Sequence, residues 1–266
     1  MNPYLELTRE FNRGALRAIV SRGQAVVLLR LSMASKDGDW ILREAPEALA
    51  HVREVLAGHG AHYRFGAPLD VRWMSGGWSA HLEFQDQGLR LRTDFVTRPP
   101  RLPAAELAAL WAQPTSTEWP HVDARRLVTL KQTGRERDYA VIGELARLIE
   151  DPHDQLLASR SADDLIELVA RHASVARSLL ERRPLLSLAS AGNRSELERA
   201  LDAERRTLMA ADVARLQRYA SAAEGWAARW PALQRELAPL PLASQHERMV
   251  AAARDLLPFA PTEGGS

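Results

Sequence analysis

Apolar residues over 3–16 read as a helix, with Leu5, Leu7, Phe11 and Leu16 as its apolar positions. LRAIVS, residues 16–21, reads as a short strand, Arg22-Gly23 as a break, and residues 24–34 as an apolar run of helical length. DGDWILR, residues 37–43, reads as a strand. Residues 46–58 predict a helix with proline in its first turn, Leu49, Val52, Val55 and Leu56 on one face, and glycine at its end. Three further strands are expected at 69–73, 78–84 and 89–96, with turns at Gly76-Gly77 and at 86–88. The prolines of TRPPRLP, residues 97–103, end the sheet. Beyond them only helical periodicity remains, at 104–112, 123–149, 161–182, 195–224 and 243–257, with Ser161/Asp164 and Ser195/Glu198 as N-terminal caps.

This order predicts an α+β protein, a small mixed sheet of α/β character followed by a long all-helical C-terminal part. The expected division is a core over 1–102 and a helical domain over 103–260. Within that domain, 103–150 would pack on the core, 151–260 would extend from it, and 261–266 would be a frayed tail.

Composition narrows the chemistry. The chain has 266 residues and no cysteine, so thiolate metal sites and disulfides are excluded. No segment reaches the ~20 apolar residues of a membrane span, and the N-terminus lacks the apolar run of a signal peptide; the expected location is the cytoplasm. Basic and acidic residues number 35 and 34, a balance that creates no overall field for steering nucleic acid. Only two of the basic residues are lysine, Lys36 and Lys131. In a chain that otherwise uses arginine, they point to positions where a compact charge is needed.

Asp37 and Asp39, two apart on an expected strand, share one face. Asp94, on another, would supply a third carboxylate if the strands were neighbours. Three hard oxygen ligands suit Mg²⁺, and crowded without metal they would raise at least one pKa. Arg22-Gly23 joins a strand to a helix start, a ready anion site. Lys131, Arg135 and Asp138, at spacings of four and three, would share a helix face. The plainer readings are a turn for Lys-Asp-Gly-Asp and a solvated, salt-bridged face for the later trio. His59 and His62 read as a satisfied loop pair, and Trp73 and Trp78 as hairpin core.

The stretch RGQAVVLLRLSMASKDGDW, residues 22–40, resembles the nucleotidyltransferase signature, in which a glycine turn precedes an Asp-x-Asp strand. The form it resembles is that of the AbiEii abortive-infection toxins. Gly23, Ala25, Ser35, Lys36, Asp37 and Asp39 fall in register, and Asp94 matches the third carboxylate. LVTLKQTGRERDYAVIGELARL resembles the family's later helix, with Lys131, Arg135 and Asp138 matched. Three positions depart from the pattern: Arg22 replaces the first glycine, Gly38 an apolar strand residue, and Trp40 is bulky beside the site.

The resemblance implies that Asp37, Asp39 and Asp94 bind metal and perform catalysis, and that Gly23, Ser35, Lys36, Lys131 and Arg135 bind the nucleotide. It implies Mg²⁺-dependent transfer of a nucleotidyl group from an NTP to a hydroxyl of RNA, a protein or a small molecule. The alternative is a degenerate fold that binds without chemistry. The C-terminal helices would then offer a surface to a protein partner.

Overall fold

The computed structural model describes residues 2–112 and 119–261. In chain order the elements are α1 (Pro3–Phe11), β1 (Ala18–Val20), α2 (Arg22–Leu28), β2 (Asp37–Leu42), α3 (Pro46–Gly58), β3 (His62–Gly66), α4 (Val71–Met74), β4 (Ala80–Asp86), β5 (Leu89–Val96) and α5 (Ala104–Ala112). The helices that follow are α6 (Ala124–Lys131), α7 (Arg137–Arg147), α8 (Pro152–Ala158), α9 (Ala162–Arg171), α10 (Ala173–Ser178), α11 (Leu186–Ser190), α12 (Arg194–Ala222), α13 (Glu224–Leu237) and α14 (Leu242–Leu256). The chain is an α+β protein with a five-stranded mixed sheet in the order β1-β2-β5-β4-β3 and a helical C-terminal part. No helix among the described residues is long and apolar enough to cross a membrane.

The chain forms two compact units, residues 1–122 with 217–266, and residues 123–216. The sequence division instead ran between 1–102 and 103–260. The expected frayed tail lies, from residue 262 onward, outside the described residues.

In the first unit, β2 pairs parallel with β5, and β4 antiparallel with β5 and β3. The β4–β5 hairpin closes over Gln87 and Gly88, both at positive φ (46° and 79°), the geometry of a two-residue turn matched to strand twist. Burial alternates along the strands. Leu91, Thr93 and Phe95 of β5 and Leu82 and Phe84 of β4 are buried, while Arg92, Asp94 and His81 are half-buried on the other face. One sheet face is thus apolar and the other polar.

The apolar face is organised around Trp40. Its ring lies 5.3 Å from Phe11 and 5.5 Å from Phe95, and its Nε1 donates to Thr8 Oγ1 at 2.9 Å. Its ring belongs to the core, while the residue also lines a pocket with Asp39 and Asp94, beside the expected site. Gly38 is explained by the same packing. A Cβ there would collide with the rings of Trp40 and Tyr4, so the residue that departs from an apolar strand pattern is the one that lets α1 close on β2.

The C-terminal helices of this unit complete it. Gln245 of α14 accepts from the Tyr63 N–H at 3.0 Å, and the indoles of Trp73 and Trp78 donate to the carbonyls of Leu257 and Pro258, each at 2.9 Å. Both indoles are buried, but not in a hairpin between them: residues 71–74 form α4 rather than the expected strand. Asp70 accepts from the Arg72 N–H at 3.0 Å and caps a helical turn.

The second unit has its own core, with Leu156, Leu165, Leu168, Leu186 and Leu197 all 2% exposed or less. Ser161 caps α9 through the Asp164 N–H, as expected. The expected Ser195 cap is instead supplied by Asn193, which accepts from Glu196 N. The long helices expected at 123–149 and 161–182 are broken at 132–136 and at His172.

Candidate functional site

Cross-strand neighbours share a sheet face, so register alone assembles the polar surface. Asp39 of β2 lies opposite Asp94 of β5, Asp94 opposite His81 of β4, and His81 opposite Phe65 of β3. Asp37, Arg92, Glu83 and His62 form the next row on the same face. Asp37, Asp39 and Asp94 therefore stand on one face of neighbouring strands.

Each carboxylate faces a cation. Arg22 Nε is 3.8 Å from Asp39 Oδ1, and Arg92 Nη1 is 3.8 Å from Asp37 Oδ1. Asp94 Oδ1 is held by Arg64 Nη2 at 2.8 Å and by His81 Nδ1 at 2.7 Å. Burial favours the neutral form of Asp94, but His81 and Arg64 outweigh it and hold the carboxyl below the usual range. The expectation of a carboxyl raised by crowding is not met at Asp94, because β3 and β4 bring cations that the motif did not reveal. Among the described residues, no group of three or more His, Asp or Glu side chains is arranged to hold a metal ion. One atom stands out: Asp37 Oδ1 is buried and has no hydrogen-bond partner.

The turn before α2 is shaped by its own packing. Arg22 sits at φ 47°, a conformation that glycine would adopt without strain. A Cβ at Gly23 would collide with Ser35, so this glycine makes room for the chain itself. Ser35 Oγ in turn donates to the carbonyl of Asp37 at 3.1 Å. Lys36 is exposed, and its carbonyl accepts from Tyr4 Oη at 2.7 Å. A pocket of about 100 Å³ opens here, lined by Ser21, Arg22, Asp39, Ser79, His81 and Asp94 among others.

No family model and no curated protein matches this chain. Two solved structures are similar to it. One is a candidate nucleotidyltransferase from H. pylori, 14% identical, with a TM-score of 0.41 over 77% of this chain and 94% of that one. The other is JHP933 from Helicobacter pylori, also 14% identical, with a TM-score of 0.40 over 81% and 96%. Likeness of that degree bears on neither site nor chemistry, which rest on the geometry above.

Lys131, Arg135 and Asp138 belong to the second unit, and the structure does bring them together. Lys131 Nζ lies 3.3 Å from Asp138 Oδ1, and Arg135 Nε donates to Oδ2 at 3.0 Å. Thr133 Oγ1 donates to Oδ2 at 2.5 Å. A single helix face does not do this; the turn between α6 and α7 does. Burial opposes ionisation of Asp138, yet Thr133, Lys131 and Arg135 hold its pKa below the ordinary value. Between that lowered value and the unfolded value of about 3.9, only the unfolded chain takes up the proton. The stabilisation is therefore full above this window and is lost as pH falls through it. Asp138→Asn should cost about 2–3 kcal/mol at pH 7, and urea midpoints should show that gap closing below pH 4. A gap independent of pH would contradict the assignment.

Two groups at the first site, Ser79 and His81, escaped the sequence reading. The period-2 spacing in WSAHLEF puts the two on one face; that this face carries Asp94 follows only from the β4–β5 register.

Proposed function

We propose that this chain transfers a nucleotidyl group from an NTP to a hydroxyl acceptor, with Mg²⁺ as cofactor. The observation that carries the reading is Asp37 Oδ1, a buried carboxylate oxygen with no hydrogen-bond partner and only the Arg92 guanidinium nearby at 3.8 Å, two residues from Asp39 on the same face. An unsatisfied buried acceptor is costly, and a hard cation would relieve that cost. Mg²⁺ needs only one or two protein carboxylates when phosphate oxygens complete its shell, so Asp37 and Asp39 suffice without a third ligand. When bound, such an ion offsets charge on the leaving pyrophosphate. The resemblance of residues 22–40 to the AbiEii-type nucleotidyltransferases supports the same assignment.

In this reading the chain's own groups divide the work. Arg22, beside Asp39, places a cation at the pocket mouth for the triphosphate. Asp94 is engaged by Arg64 and His81 and acts through them. A nucleotide-binding domain without chemistry is the second reading, favoured by Arg22 and Arg92, which already face the two carboxylates.

Calorimetric titration of each NTP in Mg²⁺ tests the proposal. Wild type should bind one of them, and Asp37→Ala should bind it at least tenfold more weakly while melting normally. Absence of binding of any NTP to the wild type would overturn it.

A further inference from the structure

Ser79, His81 and Asp94 form a continuous hydrogen-bonded chain across β4 and β5. His81 Nδ1 lies 2.7 Å from Asp94 Oδ1, and His81 Nε2 lies 2.7 Å from Ser79 Oγ. A carboxylate accepts, so the contact with Asp94 suits the tautomer with its N–H at Nδ1. In that tautomer Nε2 accepts, and the hydroxyl of Ser79 donates to it. A nucleophile within reach of a base, with that base oriented by a third group, is the arrangement that activates a serine.

The surroundings fix this geometry. Phe65 stacks on the His81 ring with centroids 4.0 Å apart and planes within 19°. Gly66, at φ 90°, leaves room for both partners. A Cβ there would lie 2.6 Å from the His81 ring and 2.5 Å from the Ser79 carbonyl oxygen. Arg64 Nη2 donates to the same Asp94 oxygen at 2.8 Å. Ser79 and His81 line the same pocket as Asp39 and Arg22, so the hydroxyl opens onto the space where the triphosphate is proposed to lie.

We infer that Ser79 is an activated nucleophile, with His81 as its base and Asp94 as the positioning residue, and that it accepts a nucleotidyl group from NTP within its own site. The inference rests on the nucleotide reading above. In the step, Ser79 Oγ bonds to the α-phosphorus, the bond from that phosphorus to the oxygen bridging to the β-phosphate breaks, and pyrophosphate leaves. The serine proton passes to His81 Nε2, and the resulting imidazolium faces the Asp94 carboxylate. No other reactant is consumed.

The test is intact-mass spectrometry of the full chain after incubation with each NTP and Mg²⁺, followed by peptide mapping. One nucleoside monophosphate is expected on the peptide that carries Ser79. Ser79→Ala should lose the adduct while melting as wild type does. His81→Asn should slow its formation by about 10²–10⁴-fold. Asp94→Asn should slow it too and change the pH dependence of adduct formation, which a merely structural role would leave in place. If wild type binds NTP and its mass stays unchanged, this inference falls and the nucleotide reading stands. If no NTP binds, both fall. An adduct on another residue, or one formed at the wild-type rate by a folded His81→Asn, would also overturn the inference.

Discussion

Asp39→Asn is expected to reduce the proposed nucleotidyl transfer by about 10³-fold while leaving the fold intact. Losing one preorganised charge at a phosphoryl centre costs on the order of 4 kcal/mol in the transition state. The structural cost is small because two effects oppose each other. The variant loses the 3.8 Å pair with Arg22, worth about 0.2–1 kcal/mol at a partly exposed position. It also relieves the opposition of two like charges, since Asp39 stands across from Asp94 in the sheet register, a penalty of similar size. Pyrophosphate release and thermal melting, measured on the same preparation, separate the two. Wild-type turnover in the variant would remove Asp39 from the reaction, and collapse of the melting transition would make it a structural residue.

Trp40→Ala should have the opposite signature, loss of the fold and with it of every activity. Trp40 is 1% exposed and is the shared neighbour of Tyr4, Phe11 and Phe95. Truncating such a ring costs about 3–5 kcal/mol through lost transfer energy and the cavity left behind, against a total stability of about 5–15 kcal/mol for a typical protein. The indole also donates to Thr8 Oγ1, so α1 loses both its packing partner and a hydrogen bond. The denaturant midpoint should fall steeply, and Trp40→Phe should recover part of the loss. A midpoint within 1 kcal/mol of wild type would mean that α1 is not tied to the sheet through this ring.

The elements that sequence made legible are those whose information is local. The proline-headed helix of residues 46–58 and the strand of residues 89–96 have the observed bounds, because periodicity and end signals agreed there. Others were hidden. β3 carries a bulge between Tyr63 and Phe65 that spoils its alternation. Pro231, a breaker by its own chemistry, lies inside α13. Residues 123–149 are periodic throughout, yet the chain turns at Thr133-Gly134. There Asp138 gathers Lys131 and Arg135, and Asp212 accepts from the Gly134 N–H at 2.8 Å. The candidate site divides in the same way. That Asp37 and Asp39 share a face follows from strand period, and Asp94 joins them because β2 and β5 pair. That Arg64 and His81 meet Asp94 depends on the register of β3 and β4, which no spacing along the chain encodes.

The first unit is assembled from two stretches of chain, residues 1–122 and 217–266, with the second unit inserted between them. On the ribosome this separates the two halves in time. At about 5–20 residues per second, the intervening residues delay the closing segment by on the order of ten seconds. During that interval the indoles of Trp73 and Trp78 lack their carbonyl acceptors at Leu257 and Pro258, and Tyr63 lacks Gln245. The inserted unit, being contiguous, can complete its core first. The packing of α14 on this unit is therefore completed only after that helix emerges, and nascent chains arrested before it would expose unpaired indoles to chaperones.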